Sequence, residues 1–193
     1  MSQDIHMKFE VVPVTKDNWD LFENLFGKKG ASGNCWCMYY RTTSTEFKDG
    51  IKGDRNKNSM KKIISDGKPA GLLGLLNGEP VAWCAFAPRE HFIRLERSRY
   101  HKRIDNEAVW SIPCFFIGKN HRHKGLSNLL LKGAIEYAKD HGIKIIEAYP
   151  LVPAHKPVPE TSAWYGIFTT FQQAGFKVVN PVPENRPMVR YYI

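Results

Sequence analysis

The residues with the clearest chemical potential lie between Asn120 and Leu131, in the stretch NHRHKGLSNLLL. His121 and His123 could form half of a metal site, but the sequence places no third ligand nearby. A basic loop that ends in a glycine before a helix could instead bind phosphate, because free N–H groups and the positive end of the helix dipole meet there. Ordinary solvated charge at a helix start is the third alternative.

The elements on either side of this loop favour phosphate. Residues 108–118, AVWSIPCFFIG, have the composition of a continuous buried strand, and apolar residues recur at helical spacing from Leu126 to His141. Gly125 lets the backbone approach a bulky anion, and Ser127 adds a hydroxyl donor. The combination suits a diphosphate, although it matches neither the P-loop pattern nor Gly-x-Gly-x-x-Gly.

Composition predicts one globular domain over residues 1–193, with 42% hydrophobic and 12% aromatic residues. No apolar run has the length of a membrane span, and the polar start, Met1 to Lys8, has no signal-peptide core, so we expect a cytoplasmic protein. Four cysteines are too few for a disulfide framework, and Cys35-Trp36-Cys37 is too closely spaced for a usual zinc site. We therefore expect reduced thiols and no bound metal.

The net charge of +9, from 28 Lys+Arg against 19 Asp+Glu, is compatible with nucleic acid, a membrane surface or a polyanionic small molecule as partner. The basic residues are scattered, and no zinc-finger, basic-zipper or RNA-binding strand motif is present. We expect neither nucleic acid nor membrane as the partner.

Periodicity and turn residues predict one α+β domain around a mixed sheet. The predicted elements, in chain order, are a strand at 8–14, a helix capped by Asp17, a polar helix at 56–65, a hairpin at Asn77-Gly78, the strand at 108–118, the helix at 126–141, a strand IKIIEAYP, a proline-rich loop at 150–160, a short helix ending at Gly175 and two final strands.

The loop and this element order together resemble a known family. Arg122-His-Lys-Gly125-Leu-Ser127 resembles the Arg/Gln-x-x-Gly-x-Gly/Ala loop of the GNAT acyltransferase superfamily, and Gly175-Phe176 matches the ending of its last helix. The stretches CWCMYYR, RLERSR, CFFI and EAYP resemble one bacterial branch of that superfamily. The resemblance implies a mixed, mostly antiparallel sheet that is flanked by helices and splayed between its fourth and fifth strands.

The resemblance also implies acetyl-CoA as co-substrate and a primary amine of a small molecule or peptide as acceptor, acetylated by direct transfer. A catalytically weak CoA-binding sensor or structural module is the alternative. The terminal strand could pair in a homodimer. The residues implied to bind the cofactor are Phe115, Phe116, Ile117, Arg122, His123, Lys124, Gly125, Leu126, Ser127 and Asn128.

The family's usual catalytic acid is missing. Phe171 stands where many members carry a tyrosine that protonates the leaving thiolate, and Trp164 lies near the place of a frequent asparagine. Glu147, in an apolar strand beside the splay, is the candidate base, or else pairs with a nearby Lys or Arg. Tyr165 is the candidate acid or a packing residue, and Glu107 is a weaker candidate base.

The acceptor pocket is expected at the aromatic loop Cys35 to Tyr40. Trp36 and Tyr39 could stack on a planar or cationic acceptor, or they could form a hydrophobic plug over the sheet. The basic run 94–103 could contact an acidic acceptor or be a solvated arm. Cys114 could be acylated as a covalent relay, or it could be a core residue.

Overall fold

The computed structural model describes residues 8–154 and 163–193, in which nine strands form two sheets. The first sheet is antiparallel throughout. Its strands, in spatial order, are β1 (Phe9–Pro13), β2 (Gly71–Leu76), β3 (Glu79–Ala85) and β6 (Phe115–Ile117).

The second sheet is mixed, because β5 and β7 pair in parallel and the other pairs are antiparallel. Its strands, in spatial order, are β4 (Ala87–Pro88), β5 (Trp110–Ile112), β7 (Ile145–Ala148), β9 (Met188–Tyr192) and β8 (Lys177–Asn180). The α+β class and the mixed, mostly antiparallel sheet are as predicted.

The two sheets diverge where the predicted strand at 108–118 is interrupted. This prediction of one continuous strand was wrong, because Pro113 has no N–H for a ladder and the chain divides there into β5 and β6. The neighbouring chain bends at the same level, between β3 and β4, where the N–H of Ala85 donates to the carbonyl of Cys114 at 3.0 Å. Before Pro113, β5 pairs with β7 in the second sheet; after it, β6 pairs with β3 in the first sheet. This separation of the two sheets is the predicted splay.

Six helices flank the sheets in the part of the chain that the structure describes. They are α1 (Trp19–Phe26), α2 (Ser44–Gly50), α3 (Arg55–Ser65), α4 (Ile93–Glu96), α5 (Leu126–Asp140) and α6 (Phe168–Gln173). The sequence predicted α1, α3, α5 and α6 but missed α2 and the short α4. Thr43 and Glu46 form a capping box at the start of α2. The predicted cap Asp17 was wrong: Thr15 caps the short 3-10 turn before α1, with Asn18 as its reciprocal partner.

Two clusters of buried side chains hold the sheets and helices together. On one side Phe22 and Phe26 of α1 pack edge-on against Trp83 of β3, with ring centroids 4.8 and 5.8 Å apart. On the other side the apolar face of α5, including Leu130 and Ala134, is fully buried with residues of β3, β5 and β7. The loop that precedes α5 is therefore attached to a helix whose apolar face is packed in the core.

The terminal strand β9 lies inside its sheet, between β7 and β8. It is not a free edge, so the reason for expecting a homodimer through this strand does not hold. Of the predicted features, the polar amino-terminal segment up to Met7 and residues 155–162 of the proline-rich loop lie outside the described residues. No helix among the described residues is long and apolar enough to cross a membrane.

Candidate functional site

The loop between β6 and α5 has a backbone conformation that only certain residues tolerate. Gly125, immediately before α5, has φ +74°, and His123 has φ +61°. A Cβ atom placed on Gly125 would meet no protein atom within 4 Å. The loop therefore brings bare backbone to an open space at the helix start.

The first turn of α5 presents donors and positive potential to that space. Within the described residues, no backbone hydrogen bond has the N–H of Leu126 or Ser127 as its donor, and no side chain caps this helix. No acidic residue lies in the first turn to offset the helix dipole. A bound anion would satisfy these groups.

A cavity of about 280 Å³ opens in front of this turn. Eight of the ten predicted cofactor residues line it, from β6, the loop and the helix start: Phe115, Phe116, Ile117, Arg122, His123, Gly125, Leu126 and Ser127. Lys124 and Asn128 do not line it, and the N–H of Asn128 is used within the helix, bonded to the carbonyl of Gly125 at 3.0 Å.

Two further features of this cavity fit a CoA molecule. β6 is the last strand of its sheet, so its outer edge has no strand partner among the described residues and could bond an extended pantetheine arm. His121 also lines the cavity, and its Nδ1 is buried without a hydrogen-bond partner in the described part of the chain. Together with the helix start, these groups fit the pyrophosphate and pantetheine of CoA.

A larger cavity of about 450 Å³ adjoins the first at the splay. The two share Phe115, Phe116, Arg122 and Trp164 as lining residues, and Pro113 and Cys114 line the larger one. Half of the residues that line it are aromatic, including Phe26, Tyr39, Tyr40, Phe47 and Phe92. None of the described residues that line it is an aspartate or glutamate.

The two predicted acceptor residues have different positions. Tyr39 lines the larger cavity, but Trp36 does not; it is 3% exposed and stacks on Phe26 at 5.8 Å. Gly30 permits this packing, because a Cβ there would lie 2.5 Å from Nε1 of Trp36. The geometry favours the hydrophobic plug for Trp36 and the pocket wall for Tyr39.

Glu147 is fully buried and lines neither cavity. Its carboxylate accepts from Nη1 of Arg89, from the hydroxyl of Tyr149 and, at 2.8 Å, from Nε of Arg190. Arg190 also pairs with Asp105. The carboxylate is thus clamped between two buried guanidinium groups, which favours the structural alternative for Glu147. Glu107, the weaker candidate base, is exposed and outside both cavities.

Tyr165 lies beside the site and lines neither cavity. Its ring packs on Trp164 at 3.8 Å, and the guanidinium carbon of Arg186 lies 3.5 Å from its centroid. Burial raises the pKa of Tyr165, so its hydroxyl stays protonated near neutral pH. Phe171 is fully buried against Phe115, with ring centroids 5.5 Å apart.

Three thiols, Cys35, Cys37 and Cys114, line the larger cavity. A hydrogen bond between the thiols of Cys37 and Cys114, and shielding from water, raise the pKa of Cys114 well above its usual value. Cys114 therefore stays a neutral thiol, which favours its alternative as a packing residue. No group of three or more metal-ligating side chains occurs in the described ranges 8–154 and 163–193.

Sequence reasoning missed several residues of the larger cavity. Trp164 lines both cavities, and Phe92 and Phe47 line the larger one, whereas Tyr40, which also lines it, belongs to the predicted aromatic loop. Arg94, in the basic run, is not a solvated arm: its guanidinium carbon lies 4.1 Å from the ring centroid of Tyr39. The only sequence signal for this arrangement was the density of aromatic residues near position 39.

Solved structures with the same fold include the PaiA N-acetyltransferase from Thermoplasma acidophilum in complex with coenzyme A (13% identity, TM-score 0.50, 97% of this chain and 100% of that chain covered). An uncharacterized protein from Bacillus halodurans has 15% identity and a TM-score of 0.57, over 100% and 88% of the two chains. A GNAT family acetyltransferase from Streptococcus agalactiae has 16% identity and a TM-score of 0.52, over 96% and 95%.

The architecture is therefore that of the GNAT acetyltransferases. Residues 36–156, more than half of the chain, match the model of the acetyltransferase (GNAT) family, and the chain belongs to this family. No curated protein matches the sequence.

Proposed function

We propose that this chain is an acetyl-CoA-dependent N-acetyltransferase that transfers the acetyl group directly to a primary amine of a small molecule or peptide. The observation that carries the proposal is the pair of joined cavities at the splay. The smaller cavity is lined by the loop and helix start that suit a pyrophosphate. The larger cavity adjoins it and, at about 450 Å³, has the volume of a small-molecule binding site.

In this proposal the smaller cavity holds acetyl-CoA, which supplies an activated acetyl thioester when bound. The N–H groups of Leu126 and Ser127 and the dipole of α5 hold the pyrophosphate. The outer edge of β6 (Phe115–Ile117), which has no strand partner among the described residues, bonds the pantetheine arm; the carbonyl of Ile117 already accepts from Nε of Arg122 at 3.2 Å. Phe115 and Phe116 line both cavities, so an acetyl group at the end of that arm would meet the acceptor there.

The chain's own residues divide the remaining tasks. Backbone N–H groups beside Pro113 polarise the acetyl carbonyl, as donors aimed at a developing oxyanion. Tyr165 is the proposed donor to the leaving thiolate, because it directly follows Trp164, which lines both cavities. We assign Glu147 a structural role as the shared counter-ion of Arg89 and Arg190, and not the role of base. The ammonium form of the acceptor would lose its proton to water before the amine attacks the thioester.

The test is a turnover assay with radiolabelled acetyl-CoA and a set of primary amines, with acetylated products separated by chromatography. An N-acetylated product that forms repeatedly per enzyme molecule supports the proposal, and Tyr165→Phe should reduce kcat more than it changes KM. Tight acetyl-CoA binding with no turnover on any amine would support the CoA-binding module instead, a role that Phe171 in place of tyrosine favours.

A further inference from the structure

The larger cavity has an unusual balance of charge. Its lining is aromatic and thiol-rich, and among the described residues no carboxylate lines it. An ammonium ion bound there would meet ring faces but no counter-ion from this wall. A pocket built for polyamines or other polycations would be expected to supply acidic side chains.

Arg122 lines the cavity itself, and three further arginines, which do not line it, contact rings of the same wall. The guanidinium of Arg94 lies 4.1 Å from the ring centroid of Tyr39 and 5.5 Å from that of Phe47. Arg41 lies 4.5 Å from the centroid of Phe92. These three rings line the cavity.

The third cation, Arg186, donates from Nη2 to the hydroxyl of Tyr40 at 3.0 Å. The Tyr40 ring also belongs to the cavity wall. Cations thus contact four of the aromatic side chains against which an acceptor would pack.

No carboxylate among the described residues neutralises the charges of these arginines. No ion pair between described residues involves any of the three. Their hydrogen bonds go to main-chain carbonyls: Arg41 to Ala70 at 2.8 Å, and Arg94 to Thr42 at 3.0 Å.

Arg186 likewise donates to the carbonyl of Tyr149, from Nη2 at 3.2 Å. Nε of Arg41 is buried without any partner in the described chain, and burial lowers the pKa of Arg41 to about 10. A positive charge in this region is therefore held at a cost, and a negative ligand group would relieve it.

Resting on the proposed N-acetyltransferase function, we infer that the acceptor is an amine on an aromatic body that also carries an acidic group, and that the cavity discriminates against amines with a second positive charge. The aromatic body packs against the rings of the wall. The acidic group is attracted to the side of the cavity whose rings contact Arg41, Arg94 and Arg186.

This arrangement also bears on the missing base. A positive, poorly solvated cavity disfavours the ammonium form of a bound amine and favours the neutral form, which is the nucleophile. The cations of the wall would then lower the pKa of the bound amine, so that less assistance from a carboxylate base is needed to deprotonate it. That is consistent with a cavity that has no acidic lining residue.

A matched set of three ligands isolates the charge: 4-(aminomethyl)benzoate, benzylamine and 4-(aminomethyl)benzylamine share one aromatic ring and one aminomethyl group. The third ligand carries a second, equivalent aminomethyl group, so its kcat/KM is divided by two for the comparison. Their dissociation constants are measured by calorimetry without acetyl-CoA, and their kcat/KM values by product chromatography. We expect affinity and kcat/KM to fall in that order, by on the order of tenfold for each change of one charge.

Arginine variants show whether the wall sets this preference. Arg94→Gln should reduce the differences in affinity and in kcat/KM among the three ligands. Arg94→Lys, which keeps the charge, should retain the order of affinity. Arg97→Gln is the matched control, because Arg97 is exposed on the same segment and contacts no ring of the cavity. Thermal unfolding of each variant verifies that it is folded.

The outcomes separate this inference from the proposed function. If the binding order holds but no ligand is acetylated, the acceptor class stands and the enzymatic function fails. If acetylation occurs with equal or reversed preference, or if the carboxylate ligand does not bind, the acceptor class is overturned. An order that Arg94→Gln leaves unchanged would also overturn the assignment to this wall.

Discussion

Replacing Glu147 by glutamine is the change that best separates a structural carboxylate from a catalytic one. In the wild type the side chains of Glu147, Arg89 and Arg190 are 0%, 1% and 2% exposed. Glutamine would keep the shape but remove the negative charge that two buried guanidinium groups share. It would also place an amide hydrogen-bond donor where the hydroxyl of Tyr149 now donates.

The magnitude follows from leaving buried charges without their partner. Removal of one member of a buried ion pair typically costs about 3–5 kcal/mol. Arg89 retains Glu96 at 2.8 Å and Arg190 retains Asp105, so we expect about 3 kcal/mol, the lower end of that range. For a domain of this size, 1 kcal/mol lowers Tm by roughly 2–4 °C, and the total decrease should be roughly 6–12 °C.

The assay is chemical denaturation together with kcat at a temperature where the variant is still folded. Glu107→Gln is the matched control, because Glu107 is exposed and its loss should change stability by less than about 0.5 kcal/mol. If Glu147→Gln leaves stability unchanged but reduces kcat by ~100-fold or more, Glu147 is the general base and the structural assignment is refuted.

Three other substitutions test separate parts of the structure. Phe171→Tyr would place a hydroxyl in an apolar core and should lower the free energy of unfolding by about 1–3 kcal/mol without raising kcat; a stable variant with faster turnover would contradict this. Hydrogen bonds from Arg190 hold the pKa of Asp105 below its ordinary 3.8, so the pair's stabilisation is present above that pH and lost as pH falls further. Denaturation curves of wild type and Asp105→Asn should therefore differ near neutral pH and converge in strong acid; a difference that persists in acid would contradict this. Gly30→Ala should destabilise the loop, because its Cβ would lie 2.5 Å from the Trp36 ring and its φ is +56°; an unchanged Tm would show that the ring moves aside without cost.

Local sequence signals predicted the elements whose causes are local. The hairpin at Asn77-Gly78 forms as expected, since both residues have positive φ, +51° and +85°. The helix from Leu126 was also predicted, because its apolar periodicity is visible in the sequence. Gly125, which precedes that helix, indicated its start in the same way. The missed helix α2 carried a capping-box signal that its short length obscured.

Features that depend on distant residues were not predictable. The two arginine partners of Glu147 are 58 and 43 positions away in the sequence, and no pattern in the strand IIEA indicates them. The same holds for Arg186, which reaches Tyr40 across 146 positions. The splay was predicted only from the resemblance to the GNAT superfamily. Pro113 by itself indicates no more than the end of a strand.

The central claim is that the loop before α5 and the adjoining cavity bind acetyl-CoA, and direct titration by calorimetry tests it. Three proteins are compared: wild type, Gly125→Glu and Gly142→Glu. Gly142 is the matched control, because it follows the other end of α5 with φ +68° and, as at Gly125, a Cβ added there would have no protein atom within 4 Å.

Both substitutions add the same charge and a comparable backbone cost of about 1–2 kcal/mol. Thermal unfolding first shows that each variant is folded. At ~100 times the dissociation constant, acetyl-CoA should stabilise a binding-competent protein by ~2.7 kcal/mol. We predict binding to wild type and to Gly142→Glu and none to Gly125→Glu. Equal binding to all three, or no binding to wild type at millimolar acetyl-CoA, would contradict the account.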